Sequence, residues 1–185
     1  TKNQSREDVS ILISKGFKLF GENRVQEAKS KFQSLSSHNN IELHLIGPLQ
    51  SNKAKNALEI FDTIQSIDRH SLIDEISKQL GKFSIIKTKK FFIQVNIGDE
   101  KQKSGVSKKE LLDLYNYSIN KKLNIEGLMC IPPNINDPSD YFRELLELRD
   151  KINKKLKLSM GMSNDYKYAL KFKSDIIRVG SLIFS

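Results

Sequence analysis

Two stretches near the end of the chain carry residue types suited to holding an anion. Leu158-Ser159-Met160-Gly161-Met162-Ser163-Asn164-Asp165 runs from a short apolar strand through a glycine into a Ser/Asn/Asp cluster that opens a helix. One helix later, Ile176-Ile177-Arg178-Val179-Gly180-Ser181 repeats the plan, with an arginine just before the corner. The first N–H groups of a helix have no acceptor within it, so with a nearby hydroxyl they converge on one point and suit a phosphate. Taken alone, each corner is equally an ordinary helix cap and an ordinary strand end. Their occurrence in two successive strand-to-helix turns favours the anion.

Other chemically capable residues are read more plainly. His44 lies within an apolar strand, where a neutral imidazole satisfied by its neighbours is the expected role. His38 and His70 fall in a loop and a helix start, and with Cys130 they show no metal-ligand spacing, so no metal site is expected. Met160 and Met162 are expected beside a bound group or in the core, and Met129 and Cys130 in the core, without redox work. A single cysteine forms no internal disulfide, and the first residues lack a signal pattern, so a cytoplasmic location is expected. No apolar run approaches the ~20 residues of a membrane span. The formal charge of +9 invites a nucleic-acid reading, but the lysines are scattered and no aromatic residues are interleaved with them. A solvated, lysine-rich surface is the expectation, with nucleic acid not a partner.

The elements that must position the two corners alternate along the chain. A helix is expected from Ser5 to Lys15, capped by Ser5 and closed by Gly16. A strand follows at Phe17 to Phe20, a turn at Gly21-Glu22-Asn23, and a helix from Val25 to Leu35. Ile41 to Ile46 reads as a strand, and Ser51 as the cap of a helix through Ala54, Ala57 and Leu58. Then come a strand at Phe61 to Ser66, a helix at Arg69 to Leu80, a strand at Lys90 to Ile97, and a helix at Lys108 to Lys121. Ile125 to Ile131 is a strand, Asp137-Pro138 starts a helix reaching Lys154, and Lys157 to Ser159 is a strand. A helix over Asp165 to Lys171 and a strand at Asp175 to Val179 complete the pattern.

Alternating apolar strands and helices call for a parallel sheet covered by helices in one domain spanning 1–185. About seven strands is one short of the closed eight-stranded barrel. On that reading the first strand is lacking in this chain, and Lys2 stands at its C-terminal end, on the same rim as the two anion corners. An open, doubly wound sheet is the alternative.

Several segments resemble one known family. Phe20-Gly21-Glu22-Asn23-Arg24-Val25-Gln26-Glu27, His44 to Lys53, Val95-Asn96-Ile97, Lys103-Ser104-Gly105 and Leu158 to Asp165 are similar to the YggS/PROSC group, which comprises pyridoxal 5′-phosphate (PLP) homeostasis proteins related to the N-terminal barrel of alanine racemase. The resemblance spans essentially the whole chain. It implies a TIM-type (β/α)8 barrel and PLP held as an aldimine on a lysine ending the first strand. Lys2 occupies that place, seven residues before Val9. Without the resemblance, Lys2 reads as a flexible terminal lysine.

The resemblance further implies that Met162, Ser163, Gly180 and Ser181 hold the cofactor phosphate and that Arg178 faces the pyridine nitrogen. A guanidinium has no acceptor to offer, so such a nitrogen stays unprotonated and the ring is a weaker electron sink. Asn23 and Ser66 are implied as further lining residues. The resulting expectation is a monomeric PLP-binding protein of vitamin B6 homeostasis without robust catalysis, with PLP-dependent apo-enzymes as recipients. Racemisation needs a second acid/base opposite the lysine. The alanine racemase tyrosine that fills this role comes from an additional domain, for which the chain ending at Ser185 leaves no room. A small PLP-dependent racemase is the alternative, although all five tyrosines fall on expected helices. A basic RNA-binding protein is the third reading.

Overall fold

The computed structural model describes residues 1–32, 41–83 and 86–184. His38, the expected helix end at Leu35 and the terminal Ser185 lie outside these residues. Seven parallel strands pair in chain order: β1 (Leu19–Glu22), β2 (Glu42–Leu45), β3 (Thr63–Ile67), β4 (Lys90–Val95), β5 (Ile125–Cys130), β6 (Lys157–Met162) and β7 (Ile176–Arg178). Between and around them run α1 (Arg6–Ser14), α2 (Val25–Phe32), α3 (Ala54–Ile60), α4 (His70–Lys82), α5 (Leu111–Asn120), α6 (Ser139–Ile152), α7 (Tyr166–Lys171) and the short α8 (Ser181–Phe184).

Strict sequential order with helical crossovers is the signature of a barrel, and one contact shows that the sheet curls on itself. The Ser159 hydroxyl of β6 donates to Gln65 Oε1 of β3 at 2.6 Å. Three strand spacings in a flat sheet amount to ~14 Å. Such side chains meet only across the interior of a nearly closed barrel, which removes the doubly wound alternative. Among the described residues β7 and β1 do not pair with each other.

Local chemistry accounts for the helix ends. Ser5 and Asp8 form a reciprocal capping box at the start of α1. At its end Gly16, at φ +90°, lets its N–H reach Ile13 O and that of Phe17 reach Leu12 O, a Schellman closure. This closure holds Phe17 outside the sheet, 46% exposed, so β1 starts two residues later than expected. The longer helices bury one stripe against the outer face of the sheet, Leu72, Ile73 and Ile76 in α4 and Phe142 and Leu145 in α6.

Two expectations need correction. Ser51 caps no helix; it begins a 3₁₀ turn, Ser51–Lys53, and its hydroxyl lies 3.2 Å from Arg69 Nη2, accepting a hydrogen bond. β6 does not stop at Ser159 but continues through Gly161 to Met162. Gly161 has φ +95°, and a Cβ there would lie 2.7 Å from Ala169 Cβ, so α7 packs directly on strand backbone. A glycine that reads as a strand breaker is here the place where helix and strand touch.

Candidate functional site

Parallel strands send all their C-terminal ends to one rim. Asn23, Ser66, Met162, Ser163, Arg178, Gly180 and Ser181 all sit at or just beyond the C-terminal ends of their strands. A hollow of about 690 Å³ opens there, with Lys2, Asn23, Gln50, Lys53 and Arg69 among its walls. Met162, Ser163, Arg178, Gly180 and Ser181 are on the same rim but do not line this hollow, and neither does Ser66.

Lys2 is exposed, and its position is set by its neighbour. The Thr1 nitrogen donates to Gly21 O of β1 at 2.5 Å, and the Thr1 hydroxyl bonds Glu22 Oε1. Lys31 Nζ of α2 completes the clamp, 2.8 Å from Glu22 Oε1 and 2.7 Å from Thr1 O. The Glu22 side chain is fully buried and Lys31 is 10% exposed. Sequence reasoning placed Glu22 in a turn and missed this pair. A Glu and a Lys nine residues apart across a strand-to-helix turn were the available signal. Asn23 follows directly, and its backbone is overlaid so closely by Gly47 that a Cβ at 47 would sit 2.2 Å from Asn23 O.

The two corners after β6 and β7 are one structure. The Gly180 N–H donates to Ser163 Oγ at 3.2 Å, and Met162 stands in register with Arg178. The Ser163-Asn164 cluster does not cap α7; Asp165 precedes that helix and accepts from Met162 N through Oδ1 at 2.5 Å. Ser181 is the first residue of α8. Met162 is 37% exposed, whereas Met160 is in the core. Ser66 is buried near the end of β3, and among the described residues its hydroxyl has no hydrogen-bond partner.

Arg178 reaches inward. Its Nη1 donates to Ser159 Oγ at 2.8 Å and its Nη2 to Cys130 O at 2.7 Å. Burial lowers the guanidinium's pKa from its ordinary value while Cys130 and Asp165 oppose the shift; it remains the cation. Burial pushes the Cys130 thiol up to about 12, so it stays protonated and is not a nucleophile.

From Ser159 the hydrogen bonds continue through Gln65 to His44, whose Nδ1 is 2.7 Å from Gln65 Nε2. His44 Nε2 is 3.0 Å from Glu42 Oε1, which also accepts from Lys90 Nζ at 3.2 Å. His44 is thus the satisfied interior histidine expected of it. Burial would raise the Glu42 pKa, but the hydrogen bonds from His44 and Lys90 outweigh it and hold the carboxyl below its usual range. Burial, the largest influence on His44, lowers its pKa, and the nearby Glu42 only partly offsets this.

His44 therefore makes stability depend on pH. An unfolded histidine takes its proton near pH ~6.5, whereas folded His44 resists it, so the unfolded state binds more protons below that value. Stability is expected to fall as pH drops from about 7 toward 5. Thermal denaturation across this range should show the slope in the unaltered protein and a flatter one in His44→Gln; equal slopes would remove His44 as the cause.

Comparison with known proteins places the chain. No family model matches it. The pyridoxal phosphate homeostasis protein of Aquifex aeolicus is 40% identical over 178 residues, covering 91% of this chain and 77% of that protein. PipY of Synechococcus elongatus with PLP bound superposes with a TM-score of 0.88 at 32% identity, over 100% of this chain and 89% of PipY. Alanine racemase of Bartonella henselae shares the fold, with a TM-score of 0.77 at 18% identity over 97% of this chain and 52% of the racemase. With that identity and coverage, the chain belongs to the pyridoxal phosphate homeostasis protein family.

Proposed function

We propose that this chain binds PLP at the C-terminal rim of its barrel and serves PLP homeostasis, holding the cofactor reversibly through Lys2. The observation that carries the reading is the correspondence of the whole of this chain with 89% of PipY, whose structure contains PLP. Several features of the chain fit such a group. Lys2 offers an amine in a hollow, and the joined Ser163 and Gly180 offer a hydroxyl and backbone at one corner. Ser181 and the backbone of Met162 extend that corner, while Asn23 and the Ser66 hydroxyl, which has no partner among the described residues, are the further candidate contacts.

Bound PLP supplies an aldehyde that a lysine amine captures reversibly and a ring able to accept electrons. Arg178 moderates the second property. Its guanidinium can only donate, so it holds no proton acceptor against a ring nitrogen and cannot stabilise that nitrogen's protonated form. All five tyrosines lie on α5, α6 or α7, outside the strands. Both points support a carrier that hands PLP to apo-enzymes over one that turns over amino acids.

Among the described residues no helix is long and apolar enough to cross a membrane. A cytoplasmic monomer is the proposed state. The test is a spectral titration of purified protein with PLP. Saturable, one-to-one growth of a near-visible absorbance band is expected, without sustained racemisation or transamination. Absence of a saturable change would overturn PLP binding, and sustained turnover would overturn the carrier.

A further inference from the structure

The barrel interior holds polar groups that binding at the rim does not by itself explain. Ser159 and His44 are each flanked by apolar residues in β6 and β2, Gln65 lies between Ile64 and Ser66 in β3, and all three are buried. They join end to end, Arg178 to Ser159 at 2.8 Å, Ser159 to Gln65 at 2.6 Å, Gln65 to His44 at 2.7 Å and His44 to Glu42 at 3.0 Å. The file runs from the rim to the opposite face, where Glu42 borders a second hollow of about 420 Å³ with Lys18, Asp62 and Lys90.

Its ends determine every proton within it. A guanidinium only donates and a carboxylate only accepts. Ser159 must therefore accept from Arg178 and give its own proton to Gln65 Oε1. The Gln65 amide then donates to His44 Nδ1, which leaves the His44 proton on Nε2, facing Glu42. Each donor points from rim to base, and aligned bonds of this kind polarise one another.

We infer that Ser159, Gln65 and His44 are positioning residues for the cofactor, fixing the Arg178 guanidinium at the rim through one unidirectional file of hydrogen bonds anchored at Glu42. An arginine has several rotatable bonds and loses considerable freedom when held. Two strand-borne acceptors, Ser159 Oγ and Cys130 O, define its plane, and only the first depends on the file. Without Gln65 the Ser159 hydroxyl is free to rotate, and with it goes half of the guanidinium's orientation. The inference rests on PLP binding at the rim with Arg178 against the ring.

The experiment uses the full chain loaded with PLP. In the unaltered protein, nitrogen NMR should find His44 neutral with its proton on Nε2. Adding PLP should move the His44 ring resonances while leaving those of His70, which lies on the outside against Asp113 and Tyr117, in place. Ser159→Ala and Gln65→Met should each weaken PLP about tenfold, the order expected for one hydrogen bond to a charged group, and shift the absorbance maximum of the bound form. Ser159→Thr, which keeps the hydroxyl, should restore both. Variants that melt earlier but bind PLP with unchanged affinity and spectrum would show a merely structural file and overturn the inference. So would His44 resonances that stay fixed in an unaltered protein that binds PLP, a result available even if a variant fails to fold. An unaltered protein that never binds PLP overturns the functional reading itself, and this inference with it.

Discussion

Lys2→Ala is expected to abolish the mass that sodium borohydride fixes onto the chain in the presence of PLP. Borohydride reduces a carbon–nitrogen double bond to a stable single bond, so the adduct marks whichever amine has captured the aldehyde. Lys2 and Lys53 are the two lysines lining the rim hollow. In the unaltered protein the mass should map to the peptide containing Lys2. In Lys2→Ala it should vanish, and PLP affinity should fall at least about tenfold, or ~1.4 kcal/mol, leaving what the Ser163 and Gly180 corner and Arg178 retain. Recovery of full labelling at Lys53 would transfer the role to that residue. Labelling spread evenly over surface lysines in both proteins would show no selective site.

The second large effect is on stability. Lys31→Met is expected to cost about 3–5 kcal/mol, because it leaves Glu22 as an uncompensated buried carboxylate. Glu22 is fully buried, one of its oxygens lacks a partner among the described residues, and Lys31 supplies the charge opposite the other. For a chain of this size the loss should appear as a drop of roughly 6–20 °C in the melting midpoint. The double variant Glu22→Gln/Lys31→Met removes both charges and should recover much of it, since a buried pair contributes little net stability beyond an uncharged pair. Lys31 also holds Thr1 O, so the single variant should load PLP poorly even below its melting temperature. A change under ~1 kcal/mol would place the pair in the class of exposed ion pairs instead.

Much of the fold was legible because strand and helix periods differ and glycines punctuate them. All seven strands fall where alternation and apolar runs placed them, within a few residues. The two turns after β6 and β7 were legible from residue type alone, but their union was not. Ser163 and Gly180 are 17 residues apart, and only the neighbouring placement of β6 and β7 brings them together. Gly161 misled because a glycine in a strand signals a break as readily as a close approach. The interior file was invisible for a different reason. A polar residue in a buried strand announces that it needs a partner, but not which one, and Gln65 finds Ser159 at a separation of 94 residues. The family motifs were legible as text without their causes. Gly47 belongs to one such motif, and its reason is the Asn23 backbone lying against it.

The single-direction file across the barrel also constrains how relatives of this chain can diverge. Because each group between its ends is donor on one side and acceptor on the other, substitutions there are not independent. Gln65→Glu changes one atom, but it sets a carboxylate oxygen against a ring nitrogen that already presents a lone pair. It becomes acceptable once His44 donates from Nδ1 as well, as the imidazolium, or once the proton moves to Nδ1 and position 42 no longer requires a donor. Positions 42, 44, 65 and 159 should thus drift as a linked set. A lineage that exchanges one of them is expected to have exchanged a second, and ranking such changes one site at a time would misjudge which of them the fold tolerates.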